Sequence, residues 1–155
     1  ARPLDRDGVE IIPQTMPPLP WHFGGQRFHN LFVDPDEIRN FCTRNEMRVC
    51  LDVSHSKLAC VQQSMSFRRF LEIVAPHTAH YHFADAKGVD GEGMQIGAGE
   101  IDWVEVFELM RALSPEATFI PEIWQGHKNR GEGAWLALER LEAFAGTVPE
   151  ARMHG

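Results

Sequence analysis

The sequence predicts an α/β fold, with four βα units arranged around a parallel sheet. Two observations lead there. A short apolar run, a polar loop and an amphipathic helical stretch recur four times in the same order. Each unit also places its unusual polar residues at the C-terminal end of its apolar run, the edge at which parallel α/β sheets bind ligands.

The first unit starts with "GVEIIPQT" (8–15) and a long loop, "MPPLPWHFGG" (16–25), too rich in Pro and Gly to be regular. Its helix opens at "DPDEIRNFCTRN" (34–45). There Asp34 is placed to cap, Pro35 suits the first helical position, and Asp36 and Glu37 favour the positive end of the helix. The second unit is "MRVCLDV" (47–53), followed by "SKLACVQQ" (56–63) and "SFRRFLEIVAPH" (66–77). In the last of these Phe67, Phe70, Leu71 and Val74 recur at helical spacing. The third is "AHYHFADA" (79–86), a Gly-rich loop (85–102), and a helix beginning near Asp102. The fourth is "ATFIPEIW" (117–124), a second Gly-rich loop, and a helix (133–146) whose apolar face is Leu136, Leu138, Leu141 and Phe144.

Four such units do not close an eight-stranded barrel, which takes about 250 residues. The expected architecture is a small open sheet or half of a (β/α)8 barrel, with raw edges that call for a partner. With 155 residues, 43% of them hydrophobic, the chain suits one domain over 1–155, which can be the end of a longer polypeptide. A net charge of -7 without a Lys/Arg stripe argues against a nucleic-acid partner. No apolar run reaches membrane-spanning length, and no signal-peptide pattern opens the chain. Cys42, Cys50 and Cys60 read as reduced core thiols of a cytoplasmic protein, not as a disulfide framework or a zinc knuckle.

The strand-end residues are Gln14, Asp52 with His55, His80 with His82, and Glu122. An Asp, a His and a Glu from three strands form a mixed N/O set suited to Mn²⁺, Co²⁺ or Zn²⁺ more than to Ca²⁺. Each residue has a plainer reading too. Asp52 can cap a turn, and His55 alone can be a satisfied surface histidine. His80 and His82 share one strand face, opposite Tyr81 and Phe83, so His82, nearer the end, is the ligand candidate. Glu122 would be costly to bury unless paired or coordinated to a cation. "EIIPQT" and "TFIPEI" both set Ile-Pro before the polar residue, so Gln14 and Glu122 are expected to flank one site. Gln14 can hydrogen-bond there but cannot act as a base. The glycines of 85–102 either cradle a phosphate or sugar hydroxyls, or simply make turns. His127, Lys128 and Arg130 either neutralise an anionic substrate or form a solvated basic loop.

Over 8–142 these motifs, "CLDVSH", "YHFADAKG" with "IGAGEIDW", and "FIPEIW", resemble the C-terminal half of the xylose-isomerase-like TIM barrels. That superfamily holds sugar and sugar-phosphate isomerases and epimerases, inosose-converting enzymes and nucleases of the endonuclease IV type. Carried across, the resemblance puts the metal pattern on Gln14, Asp52, His82 and Glu122. It implies that His55 binds substrate oxygens; Gln14, Lys87 and His127 are the further substrate-binding candidates, with Glu122 moving the proton and His55 assisting. Two positions depart from the pattern. Gln14 replaces a Glu that pairs with the last Glu in epimerases, and Gly91-Glu92-Gly93 replaces the nuclease branch's Asp-x-His. The resemblance thus implies a divalent-metal sugar or sugar-phosphate isomerase or epimerase working through a metal-stabilised enediolate. The alternative is a catalytically reduced half-barrel that binds carbohydrate, or mediates assembly, within a larger sialic-acid-synthase-like enzyme of surface-sugar biosynthesis. In either case the half-barrel would need an N-terminal half or a second copy.

Overall fold

The computed structural model describes residues 8–19 and 30–148. Part of the expected 16–25 loop lies outside them. Three parallel strands, β1 (Val49–Asp52), β2 (Thr78–Phe83) and β5 (Thr118–Pro121), form one sheet in the order β1-β2-β5. A hairpin of β3 (Asp85–Lys87) and β4 (Gly91–Met94) stands apart from it. The helices are α1 (Pro35–Asn45), α2 (Val53–Gln62), α3 (Phe67–Val74), α4 (Trp103–Leu113) and α5 (Lys128–Thr147). This is the mixed α/β arrangement of a partial TIM barrel.

The first predicted strand is reduced. Residues 8–15 give only a parallel bridge between Gln14 and Cys50, held by Thr15 N–H to Cys50 O (3.0 Å) and Cys50 N–H to Pro13 O (2.9 Å). Pro13 has no N–H, so it cannot extend the ladder. The third predicted run, 79–86, breaks at Ala84 into β2 and β3, and the loop beyond it contains the hairpin.

The pairing register sorts the side chains. Cys50 faces His80, Asp52 faces His82, and His82 faces Ile120, so these share the inner face of the sheet. Val49, Leu51, Tyr81 and Phe83 take the other face, where all four are buried against the helices. Phe83 sits at the centre of this layer, edge-on to Trp103 (5.3 Å) and Phe107 (5.8 Å) and stacked on Phe119 (5.0 Å). The predicted α3 stripe is buried as expected. On α5 the buried positions are Ala137 and Leu141, one helical turn apart, while Leu136 is 37% exposed.

Caps fall where the sequence places them. The Asp34 carboxylate accepts from Glu37 N–H, and the Asp102 carboxylate from Val104 and Glu105 N–H. One helix starts earlier than expected: α2 begins at Val53, directly after Asp52, so His55 lies in its first turn. Cys42, Cys50 and Cys60 are buried and free. Among the described residues no helix is long and apolar enough to cross a membrane.

Candidate active site

The end of β1 does two jobs with one carboxylate. Asp52 Oδ1 accepts the His55 backbone N–H at 2.9 Å, capping α2. Asp52 Oδ2 faces inward, 3.1 Å from His55 Nδ1 and 3.9 Å from His82 Nδ1, and accepts from Gln14 Nε2 at 3.1 Å. The backbone around it is tied to the first bridge, since Thr15 Oγ1 accepts from Asp52 N–H at 2.9 Å.

His82 Nδ1 also lies 2.7 Å from Glu122 Oε2. Asp52, His82 and Glu122 therefore each present one donor atom within 4.8 Å of the others. This is the set expected from three strand ends. His80 is the structural histidine of the pair, with Nδ1 2.7 Å from Thr118 Oγ1.

The donor chemistry fits a divalent cation. His82 Nδ1 is buried without a hydrogen-bond partner, because its close neighbour Glu122 lies out of hydrogen-bonding direction. Burial pushes the Asp52 carboxyl up to about 6, opposed by His55 and His82 and aided by Glu122. An unsatisfied ring nitrogen beside two carboxylates, one of them poorly solvated, is the environment a cation would relieve. Glu122 differs from expectation in one respect. Its side chain is 56% exposed, because β5 is an edge strand. Its place in the site thus rests on geometry, not on a burial penalty.

A cavity of about 590 Å³ opens beside these groups, lined by Asp52, Ser54, His55, Ala84, Glu92, Gly93, Glu122, Ile123, Trp124, Gln125, His127 and Lys128. Of the expected substrate contacts, His55 and His127 line it. Gln14 does not, and reaches the site only through Asp52. Lys87 is exposed at the end of β3 and does not border the cavity, because the hairpin turns it away. Arg130 is also exposed and outside the lining, in a segment where Asn129, Arg130 and Gly131 all take left-handed backbone (φ 52, 63 and 83).

Part of the glycine-rich loop folds onto itself. Asp85, fully buried, accepts from Ala86, Gly97 and Ile101 N–H and from the Trp103 indole. Gly99 is required there, since a Cβ would fall 2.4 Å from both Ala86 O and Asp85 Oδ1.

Sequence reading missed Glu92, Ser54, Trp124 and Gln125 as lining residues. Gly91-Glu92-Gly93 was the available signal, because paired glycines around one carboxylate imply a shaped turn. Ser54 Oγ accepts from Gly93 N–H at 3.1 Å and Gly93 O accepts from Trp124 N–H at 2.7 Å, which pins the hairpin between α2 and the segment after β5. Glu92 Oε2 then lies 3.5 Å from His55 Nε2.

The chain belongs to the family described as xylose isomerase-like TIM barrel, which matches residues 1–144. No curated protein sequence matches it. Among solved structures it is similar to a D-tagatose 3-epimerase-like protein, at TM-score 0.68 and 20% identity, covering 91% of this chain and 48% of that one. It is also similar to a D-psicose 3-epimerase from Clostridium cellulolyticum H10, at TM-score 0.56 and 18% identity, covering 93% and 50%. An L-ribulose 3-epimerase aligns at TM-score 0.56 and 14% identity, covering 90% and 46%. The chain thus spans about half the length of these structures, and at these identities the likeness shows the fold.

Proposed function

We propose that this chain is a half-barrel of a divalent-metal sugar isomerase or epimerase, acting at the carbon beside a ketose carbonyl. The observation that carries the reading is the convergence of Asp52, His82 and Glu122 within 4.8 Å next to a cavity of sugar size. These three would hold Mn²⁺, Co²⁺ or Zn²⁺, which when bound supplies polarisation of a carbonyl and neutralisation of charge on its oxygen.

The protein's own groups would do the rest. The Glu122 carboxylate, half-exposed beside the cavity, takes the proton from carbon. His55, fixed by Asp52 and by Thr15 O at 3.2 Å from its Nδ1, presents its other nitrogen to the cavity side and binds substrate oxygen. Gln14 orients Asp52 by its 3.1 Å hydrogen bond. His127 and Lys128 at the rim favour a substrate with an anionic group, such as a sugar phosphate. The names of the structural neighbours point to ketoses as the first substrates to try. A cytoplasmic setting, where buried thiols stay reduced, suits the three cysteines.

The second reading, a catalytically reduced half-barrel that binds carbohydrate or mediates assembly, is favoured by one observation: Gln14 stands where a second base is expected. In both readings the chain is one domain that works joined to another half-barrel, either an N-terminal half or a second copy.

Metal analysis tests the first reading. The purified chain, dialysed against Mn²⁺, Co²⁺ or Zn²⁺, is expected to retain one ion per site, and Asp52→Ala to lose it. Failure of the unsubstituted chain to retain any of the three ions would sink the enzymatic reading.

A further inference from the structure

In this site the position expected to carry the second base holds an amide. Gln14 Nε2 is committed to Asp52 Oδ2, its side chain does not border the cavity, and an amide neither takes nor returns a proton at carbon. Another carboxylate borders the same cavity. Glu122 reaches it from the end of β5, and Glu92 from the β3–β4 hairpin.

Glu92 Oε2 is buried and has no hydrogen-bond partner; its near polar neighbour is His55 Nε2 at 3.5 Å. Burying a carboxylate oxygen unsatisfied costs stability, and a group kept in that state beside a cavity calls for an explanation in chemistry. The hairpin also holds it firmly. Gly93 bonds to both Ser54 and Trp124, and at φ 66 a Cβ on it would stand 3.3 Å from Trp124 Cβ.

We propose that Glu92 is the second proton-transfer group of this site, standing in for the carboxylate absent at Gln14; this rests on the isomerase or epimerase reading above. Glu122 takes the proton from the carbon beside the carbonyl. The C–H electron pair becomes the C=C bond of an enediolate, and the carbonyl π pair moves to oxygen. The Glu92 carboxylic acid, which for epimerisation must act across the substrate from Glu122, then delivers its proton to that carbon from the opposite face. The C=C pair forms the new C–H bond, and the pair on oxygen remakes the carbonyl, so the product is the epimer. Glu122 is left protonated and Glu92 ionised, and exchange with water resets both. No oxidant or reductant is needed.

The test uses the full chain loaded with Mn²⁺ and incubated in D₂O with D-fructose, D-tagatose, L-ribulose or their phosphate esters. The unsubstituted chain is expected to place deuterium beside the carbonyl and to form the epimer. Glu92→Gln is expected to keep deuterium exchange into the starting ketose, through Glu122. Its epimer formation should fall about 100-fold or more, in kcat and not in KM. Its metal content should match the unsubstituted chain and its unfolding midpoint should not fall, and Glu92→Asp, which keeps a carboxylate, should recover part of the rate. Epimer formation by Glu92→Gln at the unsubstituted rate overturns the assignment while leaving the enzymatic reading intact, and so does an equal loss in Glu92→Asp. Exchange absent from all of these sugars and their phosphate esters with the unsubstituted chain overturns the enzymatic reading, and the role of Glu92 with it.

Discussion

Asp52 shows why single residues in this chain resist a single label. A carboxylate has two oxygens, and here one caps α2 while the other faces two histidines and Gln14. Capping and site residue are therefore not alternatives. The burial that fits Asp52 for a cation also gives the metal-free protein a pH dependence. Its carboxyl lies at about 6 when folded, above the ordinary value, so the folded state prefers it protonated. That contribution to stability is fully present below the unfolded value of about 4 and is lost as pH rises through about 6. Urea unfolding in the presence of a chelator is expected to show the Asp52-dependent part of stability falling over this window. Asp52→Asn, which keeps the cap oxygen, is expected to remove that part; the same slope in both proteins would refute the assignment.

At the scale of elements, the hairpin and the loop behind it decide the shape of the site. Asp85 gathers three backbone N–H groups and the Trp103 indole onto one buried carboxylate, tying β3 to the start of α4. Removing it would strand three buried donors, and the Gly97 N–H beside them. Asp85→Ala is expected to cost about 3–5 kcal/mol in urea denaturation, if the variant folds at all. A loss under about 1 kcal/mol would mean that the network is not a stability element. Ser54 extends the same logic, since its hydroxyl holds Gly93 and so places Glu92 over the cavity. Neither tie could be read from the sequence, because each joins residues more than 30 positions apart or buried behind an irregular loop.

At the scale of the whole molecule, the sheet has three full strands and ends on β5, whose Phe119 and Ile120 are 39% and 46% exposed. An apolar edge strand of this kind is a template for pairing. The chain is expected to sediment as an assembly of more than one copy, and Ile120→Lys, which places a charge at that edge, to shift it toward a single copy. A unsubstituted chain that stays monomeric and melts cooperatively would count against this pairing.

Much of the architecture was legible because it follows from local chemistry. Asp34, Asp102 and the Phe67–Val74 stripe mark helices through capping and period alone, and the alternation of runs specifies a parallel sheet. The convergence of Asp52, His82 and Glu122 was legible too, because strand ends in a parallel sheet share one edge, so the three needed only the right register to meet. What the sequence could not specify depends on directions of loops. The turn after β3 sends Lys87 to solvent and brings Glu92 to the cavity. Pro13 shrinks the first strand to one bridge, and the open edge leaves Glu122 half-exposed instead of buried. Spacing along the chain determined which residues share a strand end; only the folded loops decided which of them face the same space, because that depends on contacts between distant segments.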